Sequence, residues 1–270
     1  MKTGNTSIAF TIAVIILAGT LSYLSLYFPG AYNKEAENWQ LQSISQDIVN
    51  LVLILPFLTV STLLMLLRKK NAMALWAGGI LYLIYTYVIY CFNVHFNRFF
   101  LGYCFIFGTS FYLFLSFLWK QVHAKPVNRP YSGYSRITAV FLISTAAAFC
   151  ILWLKEIVPY LQPGAMPQSL EETSLFTNPV HVLDLAVLLP GLFITGILLL
   201  RQKALGFILA PVMLTFMVLM DLTIAGLTLI MAKGGIETNR SVALIMVFFS
   251  MINAVLLYLN LKTQANESPE

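Results

Sequence analysis

A chain of 270 residues that is 59% hydrophobic and only 10% charged, with a mean hydropathy of +0.81, is not a soluble domain, where charged residues make up about 25%. Its net charge of +5 calls for no nucleic-acid partner, because basic loops are expected on the cytoplasmic side of any multi-span protein. Long apolar runs divided by short charged loops predict an all-α polytopic membrane protein whose first partner is the lipid bilayer.

Eight runs approach the ~20 residues needed to cross a ~30 Å hydrocarbon layer. They cover roughly 7–28, 47–67, 73–92, 99–119, 137–154, 180–200, 205–231 and 242–261. The first follows Met1-Lys2 as a signal peptide would, but it continues to Phe28 with no clear small-residue cleavage site and reads as a span. Lys155-Glu156 interrupts the fifth before Ile157-Val158-Pro159, which predicts either snorkelling ends or an interfacial turn extending to about residue 161. Cys91, Cys104 and Cys150 fall inside spans without metal-type spacing and read as buried free thiols.

With the N-terminus inside, the inner loops hold Lys2, Arg68, Lys69, Lys70, Lys120, Lys125, Arg129, Arg136, Arg201, Lys203 and Lys262, and the outer loops only Lys34, Arg98, Lys155, Lys233 and Arg240. This excess predicts that both termini are cytoplasmic. The long loops at 29–46 and 162–179 are then external, and Asn266-Glu267-Ser268-Pro269-Glu270 reads as part of a disordered tail, residues 263–270.

The chain also reads as a duplication. Asp47 and His181, Asn50 and Asp184, and Pro56 and Pro190 each stand 134 residues apart (181 − 47, 184 − 50, 190 − 56). Leu66-Leu67-Arg68-Lys69-Lys70 answers Leu199-Leu200-Arg201-Gln202-Lys203, Asn97-Arg98 answers Asn239-Arg240, and Lys120 answers Lys262. The expected units are a first four-span repeat at 1–123, a cytoplasmic linker at 124–136 and a second repeat at 137–262. Four is even, so both copies enter the membrane in the same direction, as in parallel-repeat transporters with a pseudo-twofold axis along the membrane normal.

Gln46-Asp47-Ile48-Val49-Asn50 with Pro56, Leu83-Ile84-Tyr85-Thr86-Tyr87 through Asn97, and Asn178-Pro179-Val180-His181-Val182-Leu183-Asp184 together resemble a widespread prokaryotic family of multi-span membrane proteins of unknown function. The resemblance covers Gln46 to about Ala232. It implies a fold and a bacterial or archaeal cytoplasmic membrane, and supplies no activity or catalytic residue.

Ionisable groups inside spans cost about 2.5–3.5 kcal/mol each and by default suggest function. The informative set is His181, Asp184, Asp221, Asp47 and Asn50, with Tyr87, Tyr90 and Asn93 closing the third span on the same side. His181 and Asp184 share one helical face and could hydrogen-bond, hold a proton or ligate a cation. Pro56 and Pro190 strain the carbonyls four residues earlier, Val52 and Ala186, as spare acceptors toward the same cavity. Across a central axis, Asp47/Asn50 would face His181/Asp184.

The plainer readings are specific too. Asn178 is a good N-cap and Pro179 a good first helical residue, so His181 and Asp184 could merely complete a helix start, and Asp47 likewise. Asp221 has no cap or turn nearby and would be a buried pair with His181 or Arg240. The tyrosines would be interfacial belt and packing. Phosphate-binding loops, zinc-protease motifs and nucleophile elbows are absent from the sequence, and nothing in it asks for a cofactor.

The leading expectation is a small transporter or ion/solute-binding protein with an outward-facing polar site. One alternative is a membrane-embedded enzyme acting on a lipid or quinone-like substrate, with His181/Asp184 as its acid–base pair. Another is a non-catalytic subunit or assembly factor. A homo-oligomer or a subunit of a larger complex is compatible with all three.

Overall fold

The computed structural model describes residues 5–28, 30–69, 71–124, 132–162, 164–236 and 238–265. Among them there is no strand, and eight helices are long and apolar enough to cross a membrane. They are α1 (Asn5–Tyr27), α2 (Glu37–Leu66), α3 (Ala72–Asn93), α4 (Phe100–Val122), α5 (Gly133–Tyr160), α6 (Pro179–Leu200), α7 (Ala204–Lys233) and α8 (Arg240–Ala265). A short helix, Gln168–Thr173, lies between α5 and α6.

The hydropathy boundaries hold to within a few residues except at three places. Helix α2 begins at Glu37, ten residues before its apolar run, because Glu37 to Gln46 is polar yet free of glycine and proline and simply continues the helix. Asp47 is therefore about 15 Å inside a helix rather than at its start, which removes the capping reading for it. Helix α5 runs through Lys155-Glu156 to Ile157 and closes in a 3₁₀ turn, Val158–Tyr160, around Pro159. Helix α8 continues to Ala265, so residues 263–265 are helical and not tail. The rest of the expected tail, 266–270, and most of the expected linker, 125–131, lie outside the described residues.

Helices α3 and α7 form the centre. In their apolar stretches 61% and 67% of residues are buried, against 22–44% in the other six helices. They touch each other directly, and each is flanked in the same way: α3 by α2 and α4, α7 by α6 and α8. Helix α1 packs on α2 and α4, as α5 packs on α6 and α8. The first turns of α2 reach across to α7, and those of α6 reach across to α3. A Cβ at Gly78 would stand 2.5 Å from the Thr215 side chain and 2.8 Å from the Val212 carbonyl, so glycine sets how closely the two central helices approach. Tyr82 of α3 meets Phe216 of α7 with ring centroids 6.3 Å apart.

Helices α2 and α6 each contain one π-helical turn, Asn50–Ile54 and Asp184–Leu188. The Leu55 N–H donates to the Asn50 carbonyl and the Leu189 N–H to the Asp184 carbonyl. A proline stands two residues after each turn, Pro56 and Pro190. A proline ring collides with the carbonyl a turn earlier and brings no N–H to the ladder; widening that turn relieves the collision. Both helices also end alike, in a Schellman motif with a left-handed residue, Arg68 (φ 53°) and Gln202 (φ 55°). These two residues are 134 apart (202 − 68), so the geometry aligns Arg68 with Gln202, one position beyond the match suggested by the basic residues.

Hydrogen bonds tie the ends of the bundle. Asn71 Nδ2 donates to the Leu261 carbonyl, and Asn260 Nδ2 to Thr138 Oγ1, at the end that carries the start of α1 and the end of α8. At the opposite, long-loop end, His95 donates through its backbone N–H (2.7 Å) to Glu35 Oε1, and its ring Nδ1 lies 2.8 Å from Glu35 Oε2.

Candidate functional site

The intramembrane carboxylates occupy three separate places, Asp47 and Asp184 with two neutral donors each and Asp221 with one. Asp47 accepts from Tyr32 Oη at 2.6 Å and from Tyr90 Oη at 3.1 Å, so both its oxygens are taken. The Tyr90 ring stacks on Tyr87, 5.4 Å away, and both contact Tyr103. Tyr87 and Tyr90 are buried and close this cluster, Tyr90 by its hydrogen bond and Tyr87 by packing, while the buried Tyr103 hydroxyl has no hydrogen-bond partner. Tyr32 lies in the loop before α2; its phenol is pushed well above the ordinary range, first by burial and then by the negative Asp47 beside it.

Asn50, one turn below Asp47, belongs to a different chain of contacts. Gln46 Nε2 donates to Asn50 Oδ1 (2.9 Å) and to Tyr82 Oη (3.0 Å), and Tyr82 Oη lies 2.8 Å from Thr223 Oγ1 on α7. This chain links α2, α3 and α7 through the centre of the bundle. Asn93 is not in either group: its side chain donates to the Thr177 carbonyl and its own carbonyl accepts from Trp39 Nε1, so it fastens the loop end.

Asp184 accepts from Tyr85 Oη (3.0 Å) on α3 and from Trp153 Nε1 (2.8 Å) on α5. His181 lies one turn above it, capped through its backbone by Asn178, whose Oδ1 accepts from the N–H groups of Val180 and His181. The capping of this helix start is thus done by Asn178, and the imidazole is left for other contacts. Its ring tilts over Trp153 with centroids 4.6 Å apart. Its Nε2 is buried without a hydrogen-bond partner, and the nearest charge is Glu156 Oε2 at 3.6 Å. The Glu156 side chain is 38% exposed against 9% for His181, so the pair spans from the surface of the bundle to its interior. Ser169 Oγ donates to the other Glu156 oxygen at 3.1 Å.

Asp221 pairs with neither His181 nor Arg240. Its partner is Asn253 of α8, whose Nδ2 donates to Asp221 Oδ2 at 2.8 Å. Among the described residues no lysine or arginine forms an ion pair with any of the three aspartates; the ion pairs present are Glu35–His95 and Glu156–His181.

The structure therefore sets His181 and Asp184 on one face against Trp153, and joins Asp47 to Tyr90, but it does not bring the two groups together. Tyr85 and Tyr90 are five residues apart on α3, about 140° around a helix of 3.6 residues per turn, so Asp184 and Asp47 lie against different flanks of that helix. Val52, Pro56, Ala186 and Pro190 are all exposed on the outside of the bundle, so these residues face outward and not toward a shared cavity. A groove of about 790 Å³ runs between α1 and α2 beside Pro56, lined by Ile15, Gly19, Leu51, Leu55 and Thr59, and contains none of the polar set.

Four residues absent from the sequence-based set prove central: Tyr32, Trp153, Glu156 and Asn253. Tyr32 and Glu156 sit in or beside predicted loops, where polar side chains carry no signal, and Trp153 reads as an interfacial aromatic. An intramembrane Asn253 is visible as a polar residue in an apolar run, the same signal that marks Asp221. No group of three or more histidine, cysteine, aspartate or glutamate side chains among the described residues is placed to hold a metal ion. No family model, curated protein or solved structure matches this chain.

Proposed function

We propose that the protein is a small transporter, or an ion- or solute-binding membrane protein, whose working site opens to the outer side and is built from His181, Asp184, Glu156, Trp153 and Tyr85. The observation that carries this reading is His181 Nε2, a buried nitrogen with no hydrogen-bond partner 3.6 Å from the partly exposed Glu156 carboxylate. A buried polar atom left unpaired is costly unless something else completes it, and histidine is the side chain that changes charge near neutral pH. In this scheme His181 takes a proton or a polar solute group arriving past Glu156, and Asp184, oriented by Trp153 and Tyr85, receives the positive charge from within.

The same proposal includes two parallel four-helix repeats, 1–123 and 137–262, both termini on the cytoplasmic side, and a bacterial or archaeal cytoplasmic membrane. Supporting the repeats are the π turns and Schellman turns spaced by 134 residues and the matched packing around α3 and α7. Rocking of one half against the other about those two helices is the movement that alternating access would use. Within it, only the second half retains the histidine and carboxylate, and the first half holds Asp47 and Asn50 in closed contacts.

The test is flux in proteoliposomes carrying an internal pH dye, challenged with a panel of small polar solutes. Solute-driven proton movement should be present in the wild type and lost in His181→Ala and in Asp184→Asn. Variants that bind and transport as the wild type does would refute the assignment. A second reading, a non-catalytic subunit, is favoured by one observation: both oxygens of Asp47 are already engaged by tyrosines. An acid–base enzyme has less support, because among the described residues no serine or cysteine hydrogen-bonds to His181 Nε2; the nearby Ser169 hydroxyl donates to Glu156 instead.

A further inference from the structure

Between α7 and α8 two acceptors are buried side by side with too few donors. Asp221 is 7% exposed and Asn253 is fully buried. The one hydrogen bond between them runs from Asn253 Nδ2 to Asp221 Oδ2. The other end of that amide, Asn253 Oδ1, has no hydrogen-bond partner. A buried amide normally has both ends satisfied; here its carbonyl end is orphaned next to a carboxylate that has no ion-pair partner among the described residues. Ser250, one turn before Asn253 on α8, places its Oγ 3.4 Å from the carbonyl of Val218, one turn before Asp221 on the antiparallel α7, a long and weak contact. Ser250 and Asn253, like Val218 and Asp221, are three residues apart and share a helical face. Carboxylate, amide carbonyl, hydroxyl and backbone carbonyl oxygens thus line one stretch of a single interface.

We propose that this interface is a binding site for a monovalent alkali cation, with Asp221, Asn253 Oδ1, Ser250 Oγ and the Val218 carbonyl as its oxygen donors. Oxygen-only donor sets suit hard cations. The single carboxylate balances one positive charge, and an uncompensated second charge would be costly in the apolar interior. A bound cation would meet the orphaned amide oxygen and neutralise Asp221 in one step. The site is separate from His181 and does not depend on the transport reading, since it is tested by binding alone.

The experiment is thermal unfolding of the purified full chain in detergent, followed by tryptophan fluorescence, in graded sodium chloride with choline chloride holding ionic strength constant. Sodium should raise the midpoint by several degrees and in a saturating manner, because a ligand that binds only the folded state stabilises it, and choline should not. Asp221→Asn, which removes the charge at nearly constant shape, should abolish the sodium shift. Ser250→Ala, a small change expected to fold, should move the sodium dependence to higher concentration. Equal midpoints in sodium and choline for the wild type would overturn the proposal, as would a full sodium shift in Asp221→Asn. Should Asp221→Asn fail to fold, the wild-type comparison and an unaltered sodium dependence in Ser250→Ala still decide against it.

Discussion

The Tyr32 hydroxyl, 2.6 Å from Asp47 Oδ2, ties the loop after α1 to the interior of α2. Removing it in Tyr32→Phe leaves a buried carboxylate oxygen without its donor, and the expected loss of stability is about 1–3 kcal/mol. The pH dependence has a definite sign. The folded phenol titrates above its unfolded value near ~10, so its contribution is fully present below that pH and is lost as pH rises through the higher folded value. Wild-type unfolding midpoints should therefore fall in strong alkali more steeply than those of Tyr32→Phe; parallel curves would show that the bond contributes nothing. Asp184 is held in an equivalent manner by Tyr85 and Trp153, but its neighbour His181 remains open at Nε2. That difference between two doubly bonded carboxylates is why the site is placed in the second half.

At the scale of elements, the π turns of α2 and α6 are local consequences of proline, yet what surrounds them differs. In α2 the helix before the turn is continuous from Glu37; before the turn of α6 the chain is broken into Gln168–Thr173 and a new start at Pro179. The new start depends on Asn178, which satisfies two N–H groups of the first turn. Asn178→Ala should cost about 0.5–2 kcal/mol and loosen the turn that positions His181. Solute binding should weaken together with stability, and a variant equal to wild type in both measurements would show that the cap is dispensable. The short helix of the broken stretch carries Ser169, which bonds the Glu156 that lies beside His181, whereas Asp47 is covered by Tyr32 and Tyr90.

For the whole molecule, α3 and α7 act as a central post around which the other six helices pack in matching positions. The loop end that carries His95, Glu156 and the short helix is the external one in the proposed orientation. Phe176 there is fully exposed. A Phe176→Cys protein expressed in intact cells should react with a membrane-impermeant maleimide, whereas Lys69→Cys should react only after permeabilisation. The native Cys91, Cys104 and Cys150 are partly buried within the helices and serve as the background in the unsubstituted chain. The opposite labelling pattern would invert the topology and place the His181 site on the cytoplasmic face.

Hydropathy alone determined the eight helices, because a span must hide every backbone donor and acceptor from lipid and only a long apolar helix does so within one segment. The residues His181, Asp184, Asp221 and Asp47 were also legible, since a polar group inside an apolar run stands out against its surroundings. Their partners were not. Tyr32, Trp153 and Glu156 lie where polar and aromatic residues are ordinary, and the pairing of Asp221 with Asn253 depends on which faces of α7 and α8 meet. The separation of Asp47 from Asp184 was likewise decided only in three dimensions: both were visible in one chain, near the π turns of α2 and α6, but the body of α3 stands between them. Sequence determines which residues are costly to bury; tertiary packing determines what satisfies them, because the donors come from helices distant along the chain.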